Sequence, residues 1–286
     1  MLCKEFGLYC GEQNWTKYKG GHVKMTYTTI LFDVKDGIAS IALNRPEELN
    51  SINLELARDL MHALLKCDED TAIRAVVISG NGRLFCAGGD LKAFTTQGKR
   101  LSYYIKEVTT YFHAALSRLA RMDPPVVAAV HGFAVGAGMS LALASDIVIA
   151  AESARFNVAY TRVGLTPDGS LSYFLPRFIG LKRAIELTLT NRILSAQEAL
   201  DWGLVTRVVP DEELFSYAKA TAIQLAAGAP KALGAAKRLL REGWNETLET
   251  QMEQESRAIA NIAGTSDTQE AIRAFLEKRT PKFKGI

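Results

Sequence analysis

The chain has 286 residues, 48 % of them hydrophobic and 23 % charged, which is the balance of a globular protein with a sizeable core. A formal net charge of +3 is too mild to mark a nucleic-acid or anionic-membrane binder, and no nucleic-acid partner is expected. No apolar run approaches the roughly 18 residues of a membrane-spanning helix, so no membrane partner is expected either.

Residues 1–25 are polar and dotted with glycine, carry no secretory signal and read as a disordered extension. Cys3, Cys10, Cys67 and Cys86 have neither metal-ligand nor disulfide spacing, so no metal is expected and a reducing, cytoplasmic setting is the simplest reading. "TTILFDVKDGIASIAL" is two β-rich runs around an Asp36-Gly37 hairpin turn. From Leu54, apolar residues recur at helical spacing behind Asn53, a natural N-cap. "AVVIS" (75–79), "VVAAV" (126–130) and "DIVIA" (146–150) are short continuous apolar runs, as expected of strands covered on both faces. Helical segments separate them, so right-handed βαβ units and a largely parallel sheet are expected.

Beyond about Leu181 the pattern turns helical. Capping boxes are expected at Ser195 and Ser266, and a helix from Pro230 to about Gly243. The expected division is a core domain over 26–200 and a helical, strandless region over 201–286 that packs on its own chain or on a partner subunit.

Two segments repeat one design of buried strand, glycine-rich turn and helix start: 75–92 and 126–144. Glycine lets backbone approach a ligand, and a helix start leaves N–H groups without partners. Two such loops can converge on one oxygen that develops negative charge. Other glycine motifs fail. Neither loop gives GxGxxG, and no phosphate-binding GxxxxGK[ST] or HExxH is present. "GMSLA" approaches a nucleophile elbow but ends in Ala142, and His22, His62, His113 and His131 all precede Ser140, the wrong order for that hydrolase fold.

"FCAGGDL" (85–91), "HGFAVGAGMSLALASDIVIA" (131–150) and "ARFNVAYTRVGLTPDGS" (154–170) together resemble the crotonase, or enoyl-CoA hydratase/isomerase, superfamily, in order and separation. The likeness runs from about residue 28 to the C-terminus. It implies an α/β fold of ββα units with a largely parallel sheet and a helical C-terminal region, assembled as a homotrimer or a dimer of trimers. It implies an acyl-CoA thioester substrate, with no cofactor apart from the coenzyme A of that substrate. By the resemblance, the thioester oxygen rests on the N–H groups of Ala87 and Ala137. Coenzyme A lies along Glu48, Leu49, Cys86, Gly88, Gly89, Asp90 and Leu91, with Gly136 flanking the second donor. Lys278 and Lys282 reach its phosphates, across a subunit boundary if necessary.

The two glutamates that hydratases of this family use fall at Ser140 and Tyr160 here, which remain as pocket residues. One carboxylate stays in register, Asp168, at the position where isomerase branches of the family carry a lone acid. "PDGSLSYFLPR" is most similar to the ring-epoxide isomerases, with Ser170 where a second glycine is common. The expectation is an acyl-CoA isomerase with Asp168 as its acid/base in an apolar pocket formed by Phe174 and Leu171. The alternatives are a hydratase with displaced acid/base groups and a non-catalytic acyl-CoA or RNA binder. Of the remaining residues, Cys86 is expected to pack, Asp90 to cap the following helix, His131 to end a strand, and Tyr160 to line the pocket or bond to Asp168.

Overall fold

The computed structural model describes residues 16–17, 23–24 and 26–286. Most of the expected extension over 1–25 therefore lies outside the described residues. Strands β1 (Thr16–Lys17) and β2 (Val23–Lys24) form a short antiparallel pair.

The main sheet begins with β3 (Ile30–Lys35) and β4 (Ile38–Leu43), joined antiparallel by the expected turn, where Asp36 and Gly37 both have positive φ, 54° and 75°. Two such residues in a two-residue loop give the twist that a hairpin needs. Helix α1 (Leu54–Glu69) starts at Asn53, whose side chain accepts the Leu56 N–H at 2.9 Å. It leads into β5 (Ala75–Gly80), parallel to β4.

After a loop come α2 (Leu91–Thr95), α3 (Leu101–Arg121) and β6 (Val126–Val130), whose five residues are all buried. Then follow β7 (Phe133–Val135), α4 (Ala137–Ala144), β8 (Ile147–Ala151) and β9 (Arg155–Asn157). Helices α5 (Leu171–Ile179) and α6 (Leu181–Thr190), strand β10 (Leu194–Ser195), α7 (Ala196–Asp201) and β11 (Arg207–Val209) complete the central part. Helices α8 (Leu214–Ala226), α9 (Pro230–Glu242), α10 (Leu248–Ala263) and α11 (Ser266–Leu276) close the chain.

The six-stranded sheet has the order β11-β8-β6-β5-β4-β3, parallel except for the β3–β4 hairpin, and β10-β9-β7 form a smaller sheet. Alternation along β5 sorts the layers. Val76 and Ile78 join Leu56, Leu60 and Leu119 in the main core beneath α1 and α3, whereas Ala75 packs with Ile38, Ala222 and Ala226 under α8. Because successive strand residues face opposite sides, α8 covers the face opposite α1 and α3.

Two expectations are corrected. The region after 200 is not strandless, because Arg207–Val209 pairs in parallel with β8 and extends the main sheet. The cap of α11 is Thr265, whose hydroxyl accepts the Thr268 N–H at 3.3 Å. Ser266 instead turns its hydroxyl to the Ile286 carbonyl at 2.6 Å. The box at Ser195 is present, closed by Glu198 in both directions.

Candidate active site

The two glycine loops run side by side as a minimal strand pair. Cys86 N–H donates to Phe133 O at 3.0 Å and Val135 N–H donates to Cys86 O at 2.9 Å. This contact needs a bare backbone at Gly138: a Cβ there would stand 2.5 Å from Cys86 O and 2.9 Å from its Sγ. Gly138→Ala is therefore expected to force α4 away from the first loop and to destabilise the fold by about 1–3 kcal/mol, the usual cost of overpacking. A denaturant midpoint equal to that of the wild type would contradict this packing.

Between the loops and α3 lies a cavity of about 280 Å³. Val108, Phe112, Val135, Val163 and Leu165 give it apolar walls, Leu91 and Phe94 stand at one side, and Ala87, Gly88, Gly89, Gly136 and Ala137 form the backbone side. Asp168 is the one carboxylate among the residues that line it.

The backbone donors differ in part from the expected ones. Ala87 N–H is already committed to Leu49 O at 3.0 Å, so Ala87 does not offer a donor to a ligand. Further along both segments, Ile52 N–H bonds Gly88 O at 2.7 Å and Asp90 N–H bonds Ile52 O at 3.0 Å. In a parallel bridge of this kind, the residue between those two partners turns its own N–H to the other side. That residue is Gly89, which lines the cavity and whose N–H has no acceptor among the described residues. Ala137 keeps its expected place. It is the first residue of α4, where the N–H lacks an intrahelical partner and the helix dipole is positive.

Asp168 stands on the turn before α5. Tyr160 OH donates a hydrogen bond to its Oδ1. Ser140, fully buried, donates to the Asp168 backbone O at 3.0 Å and lies 3.2 Å from Tyr160 OH. Neither Ser140 nor Tyr160 is thus idle: Ser140 braces the turn through the Asp168 carbonyl, and Tyr160 holds the carboxylate from the cavity side. Burial first, and then the adjacent negative charge of Asp168, hold the Tyr160 phenol well above its ordinary range, so Tyr160 stays a donor.

The expected wall of Phe174 and Leu171 is corrected. Leu171 is buried behind the turn, and Phe174 faces a neighbouring cavity with His113 and Tyr173. The walls near Asp168 come from α3 instead, because Val108 and Phe112 project from the helix that crosses the sheet there. His113, to which no role was given, places Nε2 3.6 Å from Asp168 Oδ2.

The remaining candidates separate into groups. Leu91 and Gly136 line the cavity. Cys86 is fully buried, its thiol pushed up to about 12 by that burial, and packs behind the loop. Asp90 caps α2 through the Ala93 N–H at 2.9 Å and pairs with Arg45 at 2.9 Å. Glu48 is exposed and Leu49 half-buried, and neither lines the cavity, although Leu49 O joins this segment to the loop. Lys278 and Lys282 are exposed on the segment after α11 and are not brought to the cavity within this chain. His131 follows β6 directly and contacts Gly82 O at 2.9 Å.

The family model for enoyl-CoA hydratase/isomerase matches residues 33–286. The chain belongs to the enoyl-CoA hydratase/isomerase family. It is 38 % identical over 261 residues to a protein named probable enoyl-CoA hydratase from Rhodobacter capsulatus, covering 91 % of this chain and 100 % of that one. It is 40 % identical over 258 residues to the 1,2-epoxyphenylacetyl-CoA isomerase of Escherichia coli, covering 90 % and 98 %. The crystal structure of an enoyl-CoA hydratase from a Polaromonas species superposes with a TM-score of 0.86 at 36 % identity, covering 89 % of this chain and 99 % of that one.

The chain is therefore an enzyme of the enoyl-CoA hydratase/isomerase family with the crotonase fold, and an acyl-CoA thioester substrate is consistent with that family. Among its described residues no helix is long and apolar enough to cross a membrane. In this enoyl-CoA hydratase/isomerase, Tyr160 is expected to contribute no ionisation to the alkaline side of the activity profile. Its raised phenol keeps the proton through the range in which free tyrosine would lose it. Tyr160→Phe should leave the alkaline side of the kcat profile unchanged; an alkaline loss of activity that the substitution abolishes would contradict the assignment.

Proposed function

We propose that this chain is an acyl-CoA thioester isomerase that stabilises an enolate on two backbone N–H groups and moves a proton with one carboxylate. The observation that carries the reading is the solitary carboxylate: Asp168 is the one acid lining the cavity, and by the resemblance Ser140 and Tyr160 take the positions of a hydratase's two glutamates.

In the double-bond shift, the thioester oxygen accepts hydrogen bonds from Gly89 and Ala137. Asp168 takes a proton from C2, and the electron pair of that C–H bond delocalises into the thioester as a dienolate. The fixed donors stabilise the developing oxyanion, each by about 3 kcal/mol. Asp168 then returns the proton to C4, and the conjugated 2-enoyl thioester leaves with no net change in composition. One carboxylate suffices because both transfers occur on one face of the dienolate. Ring-epoxide isomerisation, the activity named for the Escherichia coli relative, is the second member of the proposed substrate class.

A hydratase reading has the family's other names in its favour. It needs one group to activate water and another to manage the proton at C2. Tyr160 stays neutral and Ser140 is turned away into the turn, which favours isomerisation.

Incubation with 3-hexenoyl-CoA separates the readings. Accumulation of the conjugated 2-enoyl thioester, followed in the ultraviolet, supports isomerisation. Conjugate that forms and then gains water supports hydration, and binding without turnover supports a non-catalytic role.

We also propose a homotrimer or dimer of trimers, supported by the exposed apolar residues Leu248, Met252 and Ile259 on α10 and Ile272, Phe275 and Leu276 on α11. In such an assembly Lys278 and Lys282 would be free to meet coenzyme A phosphates of a neighbouring subunit. A stable monomer at micromolar concentration in sedimentation would contradict the assembly.

A further inference from the structure

The turn that carries Asp168 is conformationally demanding. Gly169 has φ +57°, and Ser170, which has a side chain, follows with φ +65°. Two consecutive left-handed residues persist only where their surroundings hold them. Gly169 also has no room for a side chain, since a Cβ would stand 2.7 Å from the Phe112 ring. Ser140 and Leu171 N–H secure the Asp168 carbonyl at 3.0 and 3.1 Å. The same peptide is held from its other side by α3: Gly169 N–H donates to His113 Nε2 at 3.1 Å.

That bond fixes the chemistry of His113. A ring nitrogen accepts an N–H only when it is unprotonated, so the imidazole here is neutral and its proton sits on Nδ1. The same Nε2 lies 3.6 Å from Asp168 Oδ2. Protonation of Nε2 removes the acceptor of Gly169 N–H and presents a cationic donor to the carboxylate. The hydrogen bond and the ion pair at Nε2 are therefore alternatives, chosen by one proton.

His113 is placed to receive that proton. Its side chain is half exposed and lines a second cavity of about 330 Å³ together with Ser170 and Tyr173. The titratable or charged groups around it are Asp168 on the turn, Arg121 on α3 itself, Tyr173 on α5, and Arg238, Arg241 and Glu242 on α9. Arg238 is engaged with Asp123 and Arg241 with Asp146, which leaves Asp168 as the carboxylate within ion-pair reach of His113 Nε2.

We propose that His113 is a positioning residue: in its neutral form it braces the Asp168 turn, and when protonated it releases Gly169 and ties up the base. The proposal rests on the reading of Asp168 as the proton-transfer group. It makes the enzyme self-limiting in acid through a group that does not line the substrate cavity.

The test uses the full chain and 3-hexenoyl-CoA. His113→Gln keeps an acceptor at about the place of Nε2 but does not titrate. Its kcat at neutral pH should stay within about twofold of the wild type, and the acid limb of its kcat profile should lose one ionisation. His113→Leu removes the acceptor, and its kcat should fall about fivefold, the effect of one hydrogen bond, with KM little changed. A second measurement needs no substrate: the Gly169 amide resonance should shift with the ionisation of the His113 ring and lose that shift in His113→Gln. A His113→Gln profile identical to that of the wild type, or a Gly169 amide indifferent to His113, overturns the proposal. Normal turnover by Asp168→Asn would instead overturn the isomerase reading, and the amide measurement would still decide whether His113 braces the turn.

Discussion

Asp168→Asn is expected to lower kcat by at least about a hundredfold, the lower range for loss of a general base, while acyl-CoA binding is nearly retained. The amide has the shape of the carboxylate, and its oxygen can still accept the Tyr160 hydroxyl that bonds Oδ1. The turn is held through backbone groups, the Asp168 carbonyl by Ser140 and the Gly169 N–H by His113, so the substitution leaves those bonds in place. What the amide cannot do is accept a proton from C2. Stopped-flow kinetics for turnover and equilibrium titration for binding separate the two effects. A variant that turns over normally would remove Asp168 from the chemistry and leave Tyr160, whose hydroxyl bonds it, or an unmatched carboxylate as the next candidate.

Ala137→Pro is the second large effect, a loss of kcat on the order of a hundredfold to a thousandfold, as for removal of one oxyanion donor. Proline deletes the N–H. The first position of a helix is where proline is best tolerated, and Ala137 is the first residue of α4. The restriction that proline places on the preceding residue falls on Gly136, the residue type most able to adapt. Ala137→Gly keeps the N–H and should be mild. Both variants should show the circular dichroism of the wild type. Equal damage from the two substitutions in folded protein would contradict a backbone role.

How much of this could be read from the sequence depends on the distance over which each feature is decided. The Asp36-Gly37 turn, the Asn53 cap, the box at Ser195 and the fully buried β6 are local, and each stands as expected. Strand β11 is not legible in the sequence because three residues carry little pattern and their partner, β8, lies more than fifty residues earlier. Thr265 and Ser266 are both good caps, and the choice is made by the C-terminal carbonyl of Ile286, which captures the Ser266 hydroxyl.

The site divides in the same way. Ala137 follows from a helix start, a local feature. The choice of Gly89 over Ala87 depends on which N–H groups Leu49 and Ile52 leave unpaired, and that register exists only in the folded chain. Phe174 and Leu171 follow Asp168 closely in sequence, yet the turn directs them away, while Val108 and Phe112 arrive from α3. The relation of His113 to Asp168 likewise crosses more than fifty residues, and no spacing rule announces it.

The most direct measurement of Asp168 as the proton carrier is the position of deuterium placed at C2 of 3-hexenoyl-CoA, located by fragmentation mass spectrometry with the wild type and with Asp168→Asn. The wild type should move one deuterium from C2 to C4, and the Asn variant should leave the label at C2 over many wild-type turnovers. Departure of deuterium from C2 at the same rate in both proteins would contradict the role of Asp168.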